Sequence, residues 1–217
     1  AYDVNIQAIS GLMNLTGYKE QGPIRTGAPI VDYGVALAAS FAISSALFKR
    51  SQTGKGSFID VSMLETAYTL MSSTVVDYLI TGNEPKQRGN AANSKSPAAG
   101  SFACKDGLIS LGINEEHQFV ALAKMLKKEK WLVDERFSNK NNRKKNKNLL
   151  INELQEILKT KTAEKWETLA IKFKVPAARV LSLKESLNLK QNCSRNFIHE
   201  FDNNNLKVLT LPFRFNN

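Results

Sequence analysis

Few side chains here have types and spacing suited to chemistry, and Asp32 heads them. It follows Pro29, Ile30 and Val31 and precedes a run over 34–48 that is apolar nearly all round. That pattern predicts a buried helix with Asp32 as its N-cap, which sets a carboxylate at the positive end of a helix dipole. Such a carboxylate can serve as nucleophile or acid/base, but acidic N-caps are common and most are purely structural, so without a further signal Asp32 is a weak candidate. Residue types alone leave both open. Glu65 and Asp77 lie on a second apolar helix and could be active-site groups, though a solvated or interface face is the stronger reading.

Other catalytic classes lack their residues. The Gly54-Lys55-Gly56 turn has neither the upstream glycine nor the hydroxyl residue after lysine that a Walker phosphate loop requires. His117 and His199 are isolated, and no His-Glu-x-x-His or Gly-x-Ser-x-Gly pattern occurs, so metalloprotease and serine-hydrolase readings fail. Cys104 and Cys193 have no partners at metal-ligand spacing, so no metal site and no disulfide scaffold is expected. A reducing cytoplasm is the expected compartment.

The elements that must position Asp32 follow from periodicity and turn chemistry. Residues 6–15 read as a short helix or turn, and a glycine-rich loop then delivers the chain to Asp32. Lys49 and Arg50 suit a helix C-terminus, Gly54 and Gly56 make a turn, 58–62 alternates as a strand, and 63–80 reads as one apolar helix. Residues 83–100, rich in Gly, Asn and Pro, form a linker or active-site loop between a first domain, 1–82, and a small α+β domain, 101–185. In the small domain Lys105-Asp106-Gly107 joins strands at 101–104 and 108–113 as a hairpin. Helices are expected at 116–126, 146–159 and 163–173, the last capped by Thr162, with Trp131, Phe137 and Trp166 as core. A short strand and a Ser182-capped helix follow Pro176. Residues 186–217 are expected to return to the first domain, 206–215 as a strand.

The bulk numbers bound the partners. At 217 residues, 42% hydrophobic and 23% charged, the chain has an ordinary globular composition. No run approaches the ~18 consecutive apolar residues of a membrane span. The net charge of +10 is concentrated between Lys124 and Lys147, read as solvated surface or a patch for an anionic ligand rather than for nucleic acid. The chain opens on Ala1 within what reads as the middle of an element, as a cut end would.

An ordered series of segments adds a resemblance. Tyr2-Asp3-Val4 and Gln7-Ala8-Ile9-Ser10-Gly11-Leu12-Met13 are followed by Thr16-Gly17 and Gly27-Ala28-Pro29-Ile30-Val31-Asp32. Then come Lys49-Arg50, Thr53-Gly54-Lys55-Gly56, Ile59-Asp60-Val61-Ser62-Met63-Leu64-Glu65 and Arg88-Gly89-Asn90. In order and spacing these resemble the class III CoA-transferases, the group of formyl-CoA transferase, carnitine CoA-transferases and α-methylacyl-CoA racemases, over the C-terminal part of the family's length.

The resemblance implies an α/β fold: part of a Rossmann-like large domain, a small α+β domain and an interlocked homodimer. It implies Asp32 as the nucleophile that forms a mixed anhydride and then an aspartyl-CoA thioester. Ala1 and Tyr2 match a stretch that touches CoA, Asp3 an acidic active-site position, and Gly112, Ile113 and Asn114 a segment bordering the substrate. No tightly bound cofactor is implied; acyl-CoA and a small carboxylic acid are the substrates. Within the family, racemisation of a 2-methylacyl-CoA, with Asp32 as acid/base, is the alternative. Racemases follow the Asp with a glycine-rich run that Tyr33-Gly34-Val35-Ala36 lacks, and their partner His is expected in the missing half. The stretch from Asn93 to Gly100 lacks the mobile glycine run of formyl-CoA transferase, which speaks against oxalate and formyl specificity. A non-catalytic basic binding module or an inactive remnant is the reading from outside the family.

Overall fold

A computed structural model describes residues 1–201 and 206–215. The chain divides into two compact units, 1–92 and 93–217, and the division falls within the stretch expected as a linker.

The first unit is helical among its described residues. Helices α1 (Asp3–Ile9) and α2 (Leu12–Leu15) lead through a 3-10 turn at Lys19–Gln21 to α3 (Ile30–Thr53), then α4 (Met63–Leu70) and α5 (Ser72–Thr81). Its small core joins Ile6, Leu12, Val31, Ala67 and Met71. Gly34 lets α4 approach α3 closely, since a Cβ there would lie 3.2 Å from Thr66 Cγ2 and 3.1 Å from Leu70 Cδ1.

Four expectations about this unit change. The span 63–80 is two helices, broken at Met71, whose φ of −102° and ψ of 15° leave the helical region. Residues 58–62 form no ladder, because a strand is defined by a hydrogen-bonded neighbour and none lies beside them in this unit. The apolar helix α3 is largely exposed rather than buried: Val31 is covered, while Leu37, Phe41, Ile43, Leu47 and Phe48 face outward. At 24 residues it is also long and apolar enough to cross a membrane, because Ser40, Ser44 and Ser45 dilute its hydropathy less than charges would.

Loop 16–24 and residues 87–89 are tied together. Gln87 Nε2 donates to the carbonyls of Thr16 (2.8 Å) and Gly22 (2.7 Å), and the Gly89 amide donates to Gly17 O at 2.9 Å. Gly89 has φ +54°, and a Cβ there would stand 2.1 Å from Tyr18 Cε1, so both conformation and space demand glycine.

The second unit contains an antiparallel sheet of β1 (Ala99–Ala103), β2 (Leu108–Gly112) and β3 (Ala177–Arg179), in that order. Ser101 pairs with Ser110 and Ile109 with Arg179. Along β2, Ile109 and Leu111 point inward while Leu108 and Ser110 point out, the period-two alternation of a half-covered sheet. Helices α6 (Glu116–Met125), α7 (Lys140–Lys145), α8 (Lys147–Leu158) and α9 (Ala163–Phe173) supply the covering layer. Phe119 and Leu122, then Leu150, Leu154 and Leu158 at successive turns, pack with Trp131, Phe137 and Trp166 against the sheet.

Local signals set several boundaries. Cys104 N donates to Gly107 O at 2.7 Å, closing the turn between β1 and β2, and Asp106 Oδ1 accepts from Ala163 N at 2.8 Å. Thr162 Oγ1 accepts from Lys165 N, capping α9. Ser182 and Glu185 form a reciprocal capping box on α10 (Leu183–Leu187). Gln155 reaches from α8 to the backbone of Ala103, accepting from its N–H and donating to its carbonyl, and so covers that edge of β1.

Beyond α11 (Lys190–Ser194), the strand expected over 206–215 is limited to 206–209. This β5 (Leu206–Leu209) pairs antiparallel with β4 (Ile198–Phe201) within the second unit, so its hydrogen-bonding partner is local. Residues 202–205 and 216–217 of the expected return segment lie outside the described residues.

Both thiols are free. Burial, and secondarily the Asp106 carboxylate, push the Cys104 thiol above its ordinary pKa, whereas Cys193 is exposed. Iodoacetamide at neutral pH is expected to label Cys193 first and Cys104 only on unfolding, as peptide mapping would read. Equal rates on the folded protein would contradict that placement.

Candidate active site

Asp32 lies in the first turn of α3 with an exposed side chain, and it is not the cap expected of it. The N-cap position belongs to Pro29. The capping oxygen comes from Asp3, 28 residues upstream of Val31: Asp3 Oδ2 accepts from Val31 N at 2.9 Å and from Asp32 N at 3.4 Å. Local sequence shows the acid next to the helix and hides an acid that the fold brings back to it.

Asp3 is itself held. Gln7, one turn along α1, donates from Nε2 to Asp3 Oδ1 at 2.6 Å, and Gln7 Oε1 accepts from Thr26 N at 3.0 Å. Asp3 is 7% exposed and Gln7 fully buried. A buried carboxylate persists only when its lone pairs are satisfied, and here three donors satisfy them. In sequence, Gln7 is marked only by its spacing of four residues from Asp3, which puts the two on one face of a helix.

Ala1 and Tyr2 are exposed at the start of α1, and the Tyr2 carbonyl accepts from Asn5 N and Ile6 N. The first unit thus gathers Ala1, Tyr2, Asp3 and Asp32 around the N-terminal ends of α1 and α3. A separate cleft of about 430 Å³ in the same unit is lined by Ser10, Asn14, Tyr68, Met71, Tyr78 and Glu84, and Asp32 is not among its walls.

Gly112, Ile113 and Asn114 belong to the second unit, where β2 gives way to α6. Gly112 N donates to Pro176 O at 2.8 Å, the buried Ile113 accepts from Ser96 Oγ at 2.6 Å, and Asn114 N donates to Gln118 Oε1 at 2.8 Å. Ile113 and Asn114 line a small cleft with Ser96, Phe119, Lys140 and Lys144.

Arg143, expected among solvated cations, is instead 6% exposed. Its guanidinium forks onto the Glu116 carboxylate, donates to Phe137 O at 2.8 Å and lies 4.0 Å over the Phe119 ring. Burial of an arginine in a basic run requires such partners, and two of them, Glu116 and Phe119, come from α6, more than twenty residues upstream. Glu65 and Asp77 are exposed, as are His117 and His199. Among the described residues no group of three or more His, Cys, Asp or Glu side chains is arranged to hold a metal ion.

The sequence model of CoA-transferase family III matches residues 1–217. The succinyl-CoA:glutarate CoA-transferase of Homo sapiens is 29% identical over 97% of this chain and 48% of its own length. The acetyl-CoA:oxalate CoA-transferase of Acetobacter aceti is 30% identical over 91% of this chain and 51% of its own. Among solved structures, a CaiB/BaiF family protein from Brucella suis superposes with a TM-score of 0.83 at 28% identity, over 99% of this chain and 56% of that one. The chain therefore spans about half the length of the curated relatives it matches. A mixed α/β fold shared with the Brucella protein and a family match running from the first residue to the last agree with the order of motifs around Asp32: this chain belongs to CoA-transferase family III.

Proposed function

We propose that the protein containing this chain transfers CoA from an acyl-CoA to a carboxylic acid, with Asp32 as the covalent nucleophile. One observation carries the assignment. Asp32 stands exposed in the first turn of α3 while Asp3 does the capping, so the Asp32 carboxylate has no structural duty at the helix terminus.

In the first step an Asp32 carboxylate oxygen attacks the acyl carbonyl carbon, the C–S bond breaks, and CoA leaves as thiolate. The thiolate then attacks the aspartyl carbonyl, displacing the donor acid as carboxylate and leaving an aspartyl-CoA thioester. The acceptor carboxylate attacks that thioester, again releasing thiolate, which takes the acceptor's acyl group and returns Asp32 to its starting form. No net proton, redox partner or metal is needed. Covalent relay replaces one difficult exchange between weak nucleophiles by several easier steps.

The assembly we propose is the family's interlocked homodimer, with the first unit as part of a Rossmann-like large domain and with action in the cytoplasm. The exposed apolar side chains of α3 support cover by further polypeptide, and the family match over that helix supports cover by protein rather than lipid. Within the first unit Ala1 and Tyr2 are proposed to touch CoA; for Gly112, Ile113 and Asn114 of the second unit the proposed role is that of the family segment bordering the substrate. The curated relatives include transferases named for glutarate and for oxalate, so the full-length protein is tested with succinyl-CoA or acetyl-CoA against those acids. New acyl-CoA formed in step with loss of donor, read by liquid chromatography, is the expected outcome. α-Proton exchange in a 2-methylacyl-CoA without transfer would replace this reading by racemisation.

A further inference from the structure

All the early amide donors of α3 are already engaged. A helix leaves its first four N–H groups without intrahelical partners. Here the N-cap Pro29 has no N–H, Ile30 N donates to Ala28 O at 2.9 Å, and Val31 N and Asp32 N go to Asp3 Oδ2 at 2.9 and 3.4 Å. This helix end is therefore closed to a substrate anion, and donors for the oxyanions of acyl transfer must come from other residues. The acid that closes it is buried and itself held by Gln7, which is tied in turn to the loop at Thr26.

We infer that Asp3 is a positioning residue for Asp32 rather than a substrate contact, an inference that rests on the proposed role of Asp32 as nucleophile. Asp3 Oδ2 holds the backbone of the residue that carries the reacting carboxylate and of the residue before it. The chain Thr26–Gln7–Asp3–Asp32 joins the entry loop, α1 and the first turn of α3 by side-chain hydrogen bonds. The direction in which the Asp32 carboxylate leaves the helix is thus set by a residue on another element. Misplacement of a reacting atom by ~1 Å can cost on the order of 100-fold in rate, so loosening this turn is felt in the chemical step. A side chain 7% exposed and already accepting from three donors has no free face for a substrate.

The test uses the full-length protein and rapid-quench formation of the covalent Asp32 adduct from succinyl-CoA and from acetyl-CoA. Asp3→Ala is expected to slow adduct formation at saturating donor by roughly 100-fold, with the half-saturating concentration within about threefold of wild type. Asp3→Asn, which keeps one oxygen under the helix end, is expected to recover at least about tenfold of that loss. Should Asp3→Ala fail to fold, Asp3→Asn and Gln7→Ala must each show a lower maximal rate with half-saturation unchanged. Wild-type maximal rates in the folded variants, or losses that appear wholly in half-saturation, overturn the positioning role while leaving Asp32 as nucleophile. Absence of any adduct on the wild-type protein removes the transferase reading and this inference with it.

Discussion

Asp32→Ala in the full-length protein is expected to lower CoA transfer by about 10⁴-fold or more, the scale on which removal of a covalent nucleophile acts. Alanine has no oxygen with which to form the anhydride, and no nearby carboxylate can replace it without moving: Asp3 is buried beneath the helix end with both oxygens engaged. The same substitution is expected to leave stability within about 0.5 kcal/mol, because Asp32 is exposed and its side chain is not the cap of α3. Steady-state transfer and a urea titration on the same preparation check both halves. Lost activity accompanied by a large loss of stability would return Asp32 to a structural role.

The largest expected effect on folding is Trp166→Ala, at about 3–5 kcal/mol. Trp166 is 2% exposed on α9, packs in the core of the second unit and donates from Nε1 to Leu158 O at 2.7 Å. That carbonyl belongs to the last turn of α8, where it has no partner within the helix, so the indole both fills volume and satisfies an orphan acceptor. Trp166→Phe keeps most of the volume and loses the hydrogen bond, for an expected cost of about 1–2 kcal/mol. Urea unfolding followed by circular dichroism separates the two variants. A cost below about 1 kcal/mol for Trp166→Ala would mean that the core collapses around the gap or that the indole is not central to it.

What the sequence disclosed, and what it hid, follows the range of the interactions. The Lys105-Asp106-Gly107 turn, the Thr162 cap and the Ser182–Glu185 box each act over a few residues, and the corresponding hairpin and helices stand where those residues indicate. Trp131, Phe137 and Trp166 were legible as core because aromatic side chains in a small domain have no better place. The errors come from partners distant along the chain. Local sequence makes Asp32 the candidate cap of its own helix because Asp3, the acid that performs that task, is separated from it by α1, α2 and the loop to Pro29. Arg143 looked solvated because Glu116 and Phe119, which bury it, belong to another helix. The interruption at Met71 coincides with the polar run Ser72-Ser73-Thr74, a weak mark within a span whose apolar residues otherwise continue to Ile80. The missing ladder at 58–62 and the bare face of α3 share one cause: alternation and apolarity show that a segment needs neighbours, not that they lie within this unit. For the site, the family motifs selected Asp32, and geometry added Gln7 and the capping role of Asp3.

The central claim is that the Asp32 carboxylate becomes covalently acylated. Its most direct test is mass spectrometry of the full-length protein, incubated with a panel of acyl-CoAs, trapped with hydroxylamine or borohydride and digested. The account predicts a modification on the peptide holding Asp32, at that residue, absent from Asp32→Ala and dependent on the acyl-CoA supplied. No modification at Asp32 with any donor, together with deuterium exchange at the α-carbon of a 2-methylacyl-CoA, would contradict it.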